Sequence, residues 1–140
     1  MITYIDTSFL IKVLVAEDGS DEARQLWLQA ADLAAVALIA VEARAALAAA
    51  RRSHRLSAAQ HRAVVASLHD LTDQLDVIRV TDELVDRAGD LAESEALRGD
   101  DAVHLAAAVT VGAVVMASAD TSLCAAAMRL GLHVANPIAS

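Results

Sequence analysis

Four carboxylates in this 140-residue chain stand where a solvated surface acid would not. Asp6 ends the apolar run ITYI, and Asp120 follows the run AVVMA after a short ASA step. Asp101, with Asp100 before it, opens the apolar stretch AVHLAAAV. Glu42 is the sole acid between ALIAV and ARAALAAA. Taken singly, Asp6 and Asp120 read as helix N-caps, and Asp100 and Asp101 as acids favoured by a helix dipole. Glu42 resists that account, because an unpaired carboxylate in apolar surroundings is costly and either shifts its pKa or finds a partner. If several such acids converge, their mutual repulsion calls for a cation, and a hard divalent ion with oxygen ligands, Mg2+ in particular, meets the need. Such a site suits phosphodiester hydrolysis, since the ion acidifies a bound water and neutralises the developing charge. Other acids, such as Asp21, Glu22, Glu93 and Glu95, lie in mixed polar helical faces and need no special account.

Those acids must be held by strands and helices in alternation. Strands are expected at ITYI, LAAVA, DVIRV, AVVMA and, as an edge before Pro137, LHVAN. Helices are expected at TSFLIKVLVAE, at EARQLWLQAA behind a Ser20 cap, at LIAVEARAALAAARRSHR, and at AAQHRAVVASLHDL behind a Ser57 cap. Three more follow: DELVDRAGDLAESEAL capped by Thr81 and stopping at Arg98-Gly99, DDAVHLAAAV, and TSLCAAAMRL closed by Gly131. Alternation of this kind means parallel pairing through crossover connections, hence an α/β sandwich with a mainly parallel sheet of four to five strands flanked by helices. The functional crevice of such sheets lies beyond the carboxyl ends of the strands, so Asp6 and Asp120 are expected at one rim.

Composition sets limits around that site. The length suits a single domain over residues 1–140 with a core that needs no staples. The single cysteine, Cys124, excludes an intrachain disulfide and a cysteine-based zinc site, and fits a reducing, cytoplasmic setting. A net charge of −8 argues against a passive, phosphate-neutralising nucleic-acid binder. It leaves room for an enzyme that turns bound metal ions toward phosphates. The start lacks a basic leader, so no signal peptide is expected. The run Ala102 to Ala119 approaches spanning length, but it contains His104, Thr110, Gly112 and Ser118 and is bracketed by Asp101 and Asp120. A helix to about Val111, a break at Gly112 and a short buried strand explain it better, so no membrane association is expected.

The blocks YIDTSFLI, LIAVEARAAL, LRGDDAVHLAAAV and ASADTSL, in that order, span essentially the whole chain. In them the sequence resembles the PIN-domain family of small ribonucleases, and within it the VapC-type toxins of bacterial toxin–antitoxin pairs. Carried over position by position, the family's acids fall on Asp6, Glu42, Asp101 and Asp120. The resemblance implies a PIN-like three-layer sandwich, cleavage of RNA (tRNA, rRNA or mRNA) with Mg2+ or Mn2+, and a homodimer. It also implies silencing by a cognate VapB-type antitoxin whose C-terminal segment enters the active-site groove. Asp6 and Asp101 would then carry the metal, with Asp120 contributing directly or through water, and Glu42 would position or deprotonate the attacking water. Ser118 and Thr7 or Ser8 would hydrogen-bond the acids or a phosphate oxygen. Two departures stand out. Many relatives have Ser or Thr just before the Glu-bearing helix, where this chain reads AAVAL, and Asp100 beside Asp101 leaves the ligand ambiguous; the D-A-x-H-L context favours Asp101.

Other features carry two readings each. His104 is read first as a core histidine bonded to backbone or a carboxylate. The tract RRSHR, with Arg51, Arg52 and Arg55, is either a solvated helix end or a phosphate-contacting lip, with Arg44 and Arg98 as further candidates. Trp27 and Leu28 are either core or part of an apolar groove for a partner helix. The competing reading of the whole is a catalytically silent PIN-like module that binds RNA or protein. Convergent acids speak against it, since pure binding has no need of them. A phosphatase would want a second Asp where Ser8 stands, and a receiver would want paired acids before a strand-ending one.

Overall fold

In the computed structural model, which describes residues 1–138, five short strands run in one direction. They are β1 (Ile2–Ile5), β2 (Asp32–Val36), β3 (Asp76–Ile78), β4 (Val115–Ala117) and β5 (His133–Ala135). The sheet order is β3-β2-β1-β4-β5, so the first strand in the chain is the central one. Every pairing is parallel, with Tyr4 opposite both Ala34 and Met116 and Ile5 opposite Ala117.

Strand alternation then separates two cores. Ile5, Leu33, Ala35 and Ala117 face one side, where α1 (Thr7–Leu14), α2 (Ser20–Gln29), α3 (Ile39–Arg52) and α4 (Ala58–Thr72) pack. Tyr4, Val36 and Met116 face the other, covered by α5 (Asp82–Glu95), α6 (Gly99–Val111) and α7 (Thr121–Arg129). The alanine content has a use here: Ala106, Ala107 and Ala108 are fully buried, and their small side chains let α6 lie close against the sheet. Both faces being covered is what allows strands this apolar to be parallel. The result is the expected three-layer α/β sandwich.

The apolar run Ala102 to Ala119 is divided between α6, a left-handed Gly112 cap and β4. Among the described residues no helix is long and apolar enough to cross a membrane. Trp27 belongs to the core and its indole N–H donates to Gln74 Oε1 at 3.3 Å, while Leu28 is exposed.

Several ends differ from expectation. α1 stops at Leu14 rather than running to Glu17, because the buried Lys12 ammonium donates to Glu17 Oε1 at 3.1 Å and to the Asp18 carbonyl at 2.7 Å, shaping a loop instead of another turn. Gly19, not Ser20, is the N-cap of α2; the Ser20 hydroxyl instead donates back to the Val15 carbonyl. Only glycine suits that place, since φ is +85° and an added Cβ would meet the Pro137 carbonyl oxygen at 3.0 Å.

Gly99 was expected to stop α5, but it opens α6, and the left-handed turn falls on the exposed Ala96 at φ 53°. The stop comes early because Leu97 must turn in to the second core. Ala96→Gly is therefore expected to stabilise the fold by about 0.5–1 kcal/mol, the αL strain relieved less the added chain entropy of glycine. A urea titration with an unchanged slope and a higher midpoint would show it; an unchanged or lower midpoint would refute it.

Candidate active site

Asp6, Thr7 and Ser8 leave β1 at the carboxyl rim, and Asp120 does the same just beyond β4. Between those two lies the open end of α6 with Asp100 and Asp101, and beside them the first turn of α3 with Glu42. These residues, with Arg98 and His104, line one cavity of about 370 Å³. The four acids singled out in the sequence thus share a single space.

Asp6 is nearly inaccessible, at 3% exposure. Its Oδ1 accepts from the Ser8 hydroxyl at 2.7 Å and the Phe9 N–H at 3.0 Å, and its Oδ2 from the Ser118 hydroxyl at 2.6 Å. Burial pushes its pKa up, and those three donors oppose the rise. The bond to Phe9 N–H also makes Asp6 the N-cap of α1, so it has two duties. Asp120 likewise caps α7, its Oδ1 accepting from the Leu123 N–H at 3.0 Å. Ser118 links the two strand ends: while donating to Asp6 it accepts from the Asp120 N–H at 3.0 Å.

Asp101 is buried, and its pKa is raised by burial and by the charges of Asp120 and Asp100, against the pull of Arg98. The guanidinium of Arg98 lies 3.4 Å from Asp100 Oδ2 and 3.5 Å from Asp101 Oδ2, so it draws both neighbours. Burial separates them, with Asp101 the inward acid and Asp100 the more exposed one.

Glu42 is differently placed. Its Oε1 accepts from the Thr7 hydroxyl at 2.8 Å and lies 2.7 Å from His104 Nε2. Although partial burial pushes its pKa up, the bond and charge of His104, then Thr7 and Arg98, bring it below the ordinary value. Behind it runs a chain of contacts. His104 Nδ1 lies 2.7 Å from the Tyr4 phenol oxygen, which in turn accepts from the Val36 N–H at 3.1 Å. Because the Glu42 carboxylate can only accept, Nε2 carries a proton on the face that meets Glu42, and the bond between Nδ1 and the phenol ties His104 to Tyr4. His104 is thus a buried histidine bonded to a carboxylate, as expected. Its partner Tyr4 was not singled out in the sequence. The only signal was a lone phenol in the central strand, whose hydroxyl must find a partner once buried.

The hydroxyls of Thr7, Ser8 and Ser118 hold acids, the first of the two uses foreseen for them. Arg51, Arg52 and Arg55 do not line the cavity. Arg51 stands nine residues beyond Glu42 on the same helix, roughly 13 Å further along its axis. Arg98 takes the place beside the acids instead.

Among the described residues no three His, Cys, Asp or Glu side chains converge into a ready-made ligand set. The donor chemistry still fits a hard cation. Asp101 and Asp120 repel each other across the cavity, and Mg2+ is commonly held by one or two carboxylates while it keeps several waters.

Comparison with known proteins agrees with this architecture. The PIN domain family model matches residues 3–128. Ribonuclease VapC45 of Mycobacterium tuberculosis (strain CDC 1551 / Oshkosh) is 38% identical over 137 residues, which span 96% of this chain and 94% of that protein. Among solved structures, Mycobacterium tuberculosis VapC20, a sarcin-ricin loop cleaving toxin, superposes with a TM-score of 0.70 at 19% identity, over 89% of this chain and 94% of that one. A toxin–antitoxin complex from Klebsiella pneumoniae gives 0.67 at 19% identity, over 96% and 97%. With the family model covering most of its length and a VapC relative above one-third identity, this chain belongs to the PIN-domain family, among the VapC proteins.

Proposed function

We propose that this protein is a metal-dependent endoribonuclease, the toxin half of a toxin–antitoxin pair. The observation that carries the reading is the cavity at the strand ends, lined by Asp6, Glu42, Asp101 and Asp120, with hydroxyls holding Asp6 and Glu42 and His104 bonded to Glu42. Relatives named ribonucleases at 38% identity support the reaction class, and toxin–antitoxin complexes among the structural neighbours support an antitoxin partner of the VapB type. A homodimer working in the cytoplasm completes the proposal.

Asp6 and Asp101 would hold Mg2+ or Mn2+, with Asp120 joining directly or through water. When bound, the ion supplies a water of lowered pKa and positive charge against the phosphate. The protein's own groups do the rest. Ser8 and Ser118 fix the Asp6 carboxylate in one orientation, and Arg98 at the rim offsets the charge of the neighbouring acids. Glu42, ionised at neutral pH, turns Oε1 to Thr7 and His104 and leaves Oε2 to receive the attacking water's proton. A silent binding module is not favoured, because desolvating Asp6 and Asp101 costs stability that binding alone would not require.

The deciding experiment incubates total RNA with wild type, Asp6→Ala and Asp101→Asn, each with Mg2+ and with chelator. Cleavage is expected only for wild type with the ion. Cleavage that ignores chelation, or that survives both substitutions, would sink the mechanism.

A further inference from the structure

The α3–α4 hairpin has a charge balance opposite to that of the rest of the chain. Between Leu38 and Thr72 lie five arginines and two acids, Glu42 and Asp70, a net of +3, while the remaining residues carry −11. Among the described residues none of Arg44, Arg51, Arg52, Arg55 and Arg62 forms an ion pair; the arginine pairs are those of Arg98 and Arg129. In a protein with 19 acids, a strip of guanidiniums without carboxylate partners is a feature to explain.

The strip begins at the active site. Ala45, one turn beyond Glu42, lines the acidic cavity and also a second cavity of about 560 Å³ along the hairpin. Arg44 and His61 line that second cavity together with the exposed Val41 and with Ala48. Arg51 and Arg52 follow Arg44 by seven and eight residues, a spacing that returns them to the same helix face. Arg55, in the turn before α4, faces a separate cavity beside Leu14 and Val15 and is not part of the strip. The second cavity therefore leads from the carboxylates to Arg44 and His61 with apolar surface between, and Arg51 and Arg52 lie beyond it on the same helix.

We infer that this face of the α3–α4 hairpin is the track for the substrate strand, gripping the phosphates of single-stranded RNA on one side of the scissile bond while Val41 and the alanines meet sugar and base. The inference rests on the ribonuclease reading of the cavity. A polyanion charged at every residue fits a strip uncompensated over its whole length. The strip also answers how a chain of net charge −8 holds its substrate: attraction is local, and confined to one side of the acids.

Binding of a fluorescent single-stranded oligo(U) is measured by anisotropy over a salt series, in chelator so that nothing is cut. The variants are Arg44→Gln and Arg51→Gln/Arg52→Gln, with Arg79→Gln, off the strip, as control. Each arginine withdrawn from a phosphate is expected to lower the slope of log K against log salt by about 0.7. The control keeps the wild-type slope. With Mg2+ the same strip variants are expected to raise KM and leave kcat near wild type, since none of these residues lines the acidic cavity. Wild-type slopes in the strip variants would overturn the inference. So would unchanged RNA affinity together with a loss of affinity for poly-glutamate, which would assign the strip to an acidic protein partner. Failure of the ribonuclease reading shows separately, as RNA bound along the strip and cut under no metal condition.

Discussion

Glu42→Gln is expected to lower the rate of RNA cleavage by about 10²–10⁴-fold with little change in KM. The carboxylate touches no other acid and is held by Thr7 and His104, so its removal takes away a proton acceptor without disturbing the proposed ion ligands. The same geometry makes His104 and Tyr4 positioning residues, since they reach the reacting water only through Glu42. His104→Asn removes the donor that holds the Glu42 pKa down. The acid limb of the kcat profile, where Glu42 takes up a proton, is then expected to move to higher pH. Tyr4→Phe leaves the Val36 N–H and His104 Nδ1 without partners in a buried place and should cost roughly 1–3 kcal/mol of stability. An acid limb that stays in place in His104→Asn would show that the histidine is only core.

The second large effect concerns the ion and stability. Mg2+ at about a hundred times its Kd is expected to stabilise the fold by about 2.7 kcal/mol, a rise in Tm of roughly 10 °C. The pH dependence has a definite sign. Asp6 and Asp101 have raised pKa values in the metal-free fold, so their contribution to stability is present below the unfolded carboxylate pKa and is lost as pH rises through the folded value. Glu42, with its pKa lowered, contributes above the unfolded value and loses that contribution as pH falls through the folded one. The ion relieves the cost at Asp6 and Asp101, so its benefit is largest at neutral pH and shrinks toward about pH 4 as those acids take up protons. In Asp101→Asn the metal-free protein is expected to melt higher than wild type and to respond little to Mg2+. Thermal melts of both proteins at two pH values, with and without the ion, check this. A wild type indifferent to Mg2+ at neutral pH would refute it.

Much of the site could be read from the chain because acids that follow apolar runs have few alternatives. Asp6 and Asp120 each end a strand, and parallel pairing leaves only one rim for them. Glu42 was legible through its isolation among alanines. What could not be read is set by contacts distant in sequence. Tyr4 and His104 meet across 100 residues, and no local pattern announces a bond between a strand and a helix so far apart. The charge of the RRSHR tract gave its sign but not its place, since helix rise alone carries Arg51 away from Glu42. The turn at Ala96 was missed because glycine is the usual left-handed residue, and here the burial of Leu97 overrides that preference.

The bond from Ser118 to Asp6 spans 112 positions and joins the tail of one central strand to its neighbour's. On the ribosome, β1 emerges early and waits for β4 before it has a partner on that side. Until then Asp6 lacks its Ser118 donor, and Asp120 has not yet been synthesised. A nascent chain therefore lacks the completed site for most of its synthesis, as does a fragment that ends before β4. For an enzyme that would attack RNA, the order of the strands is itself a safety catch, released only when translation is nearly done.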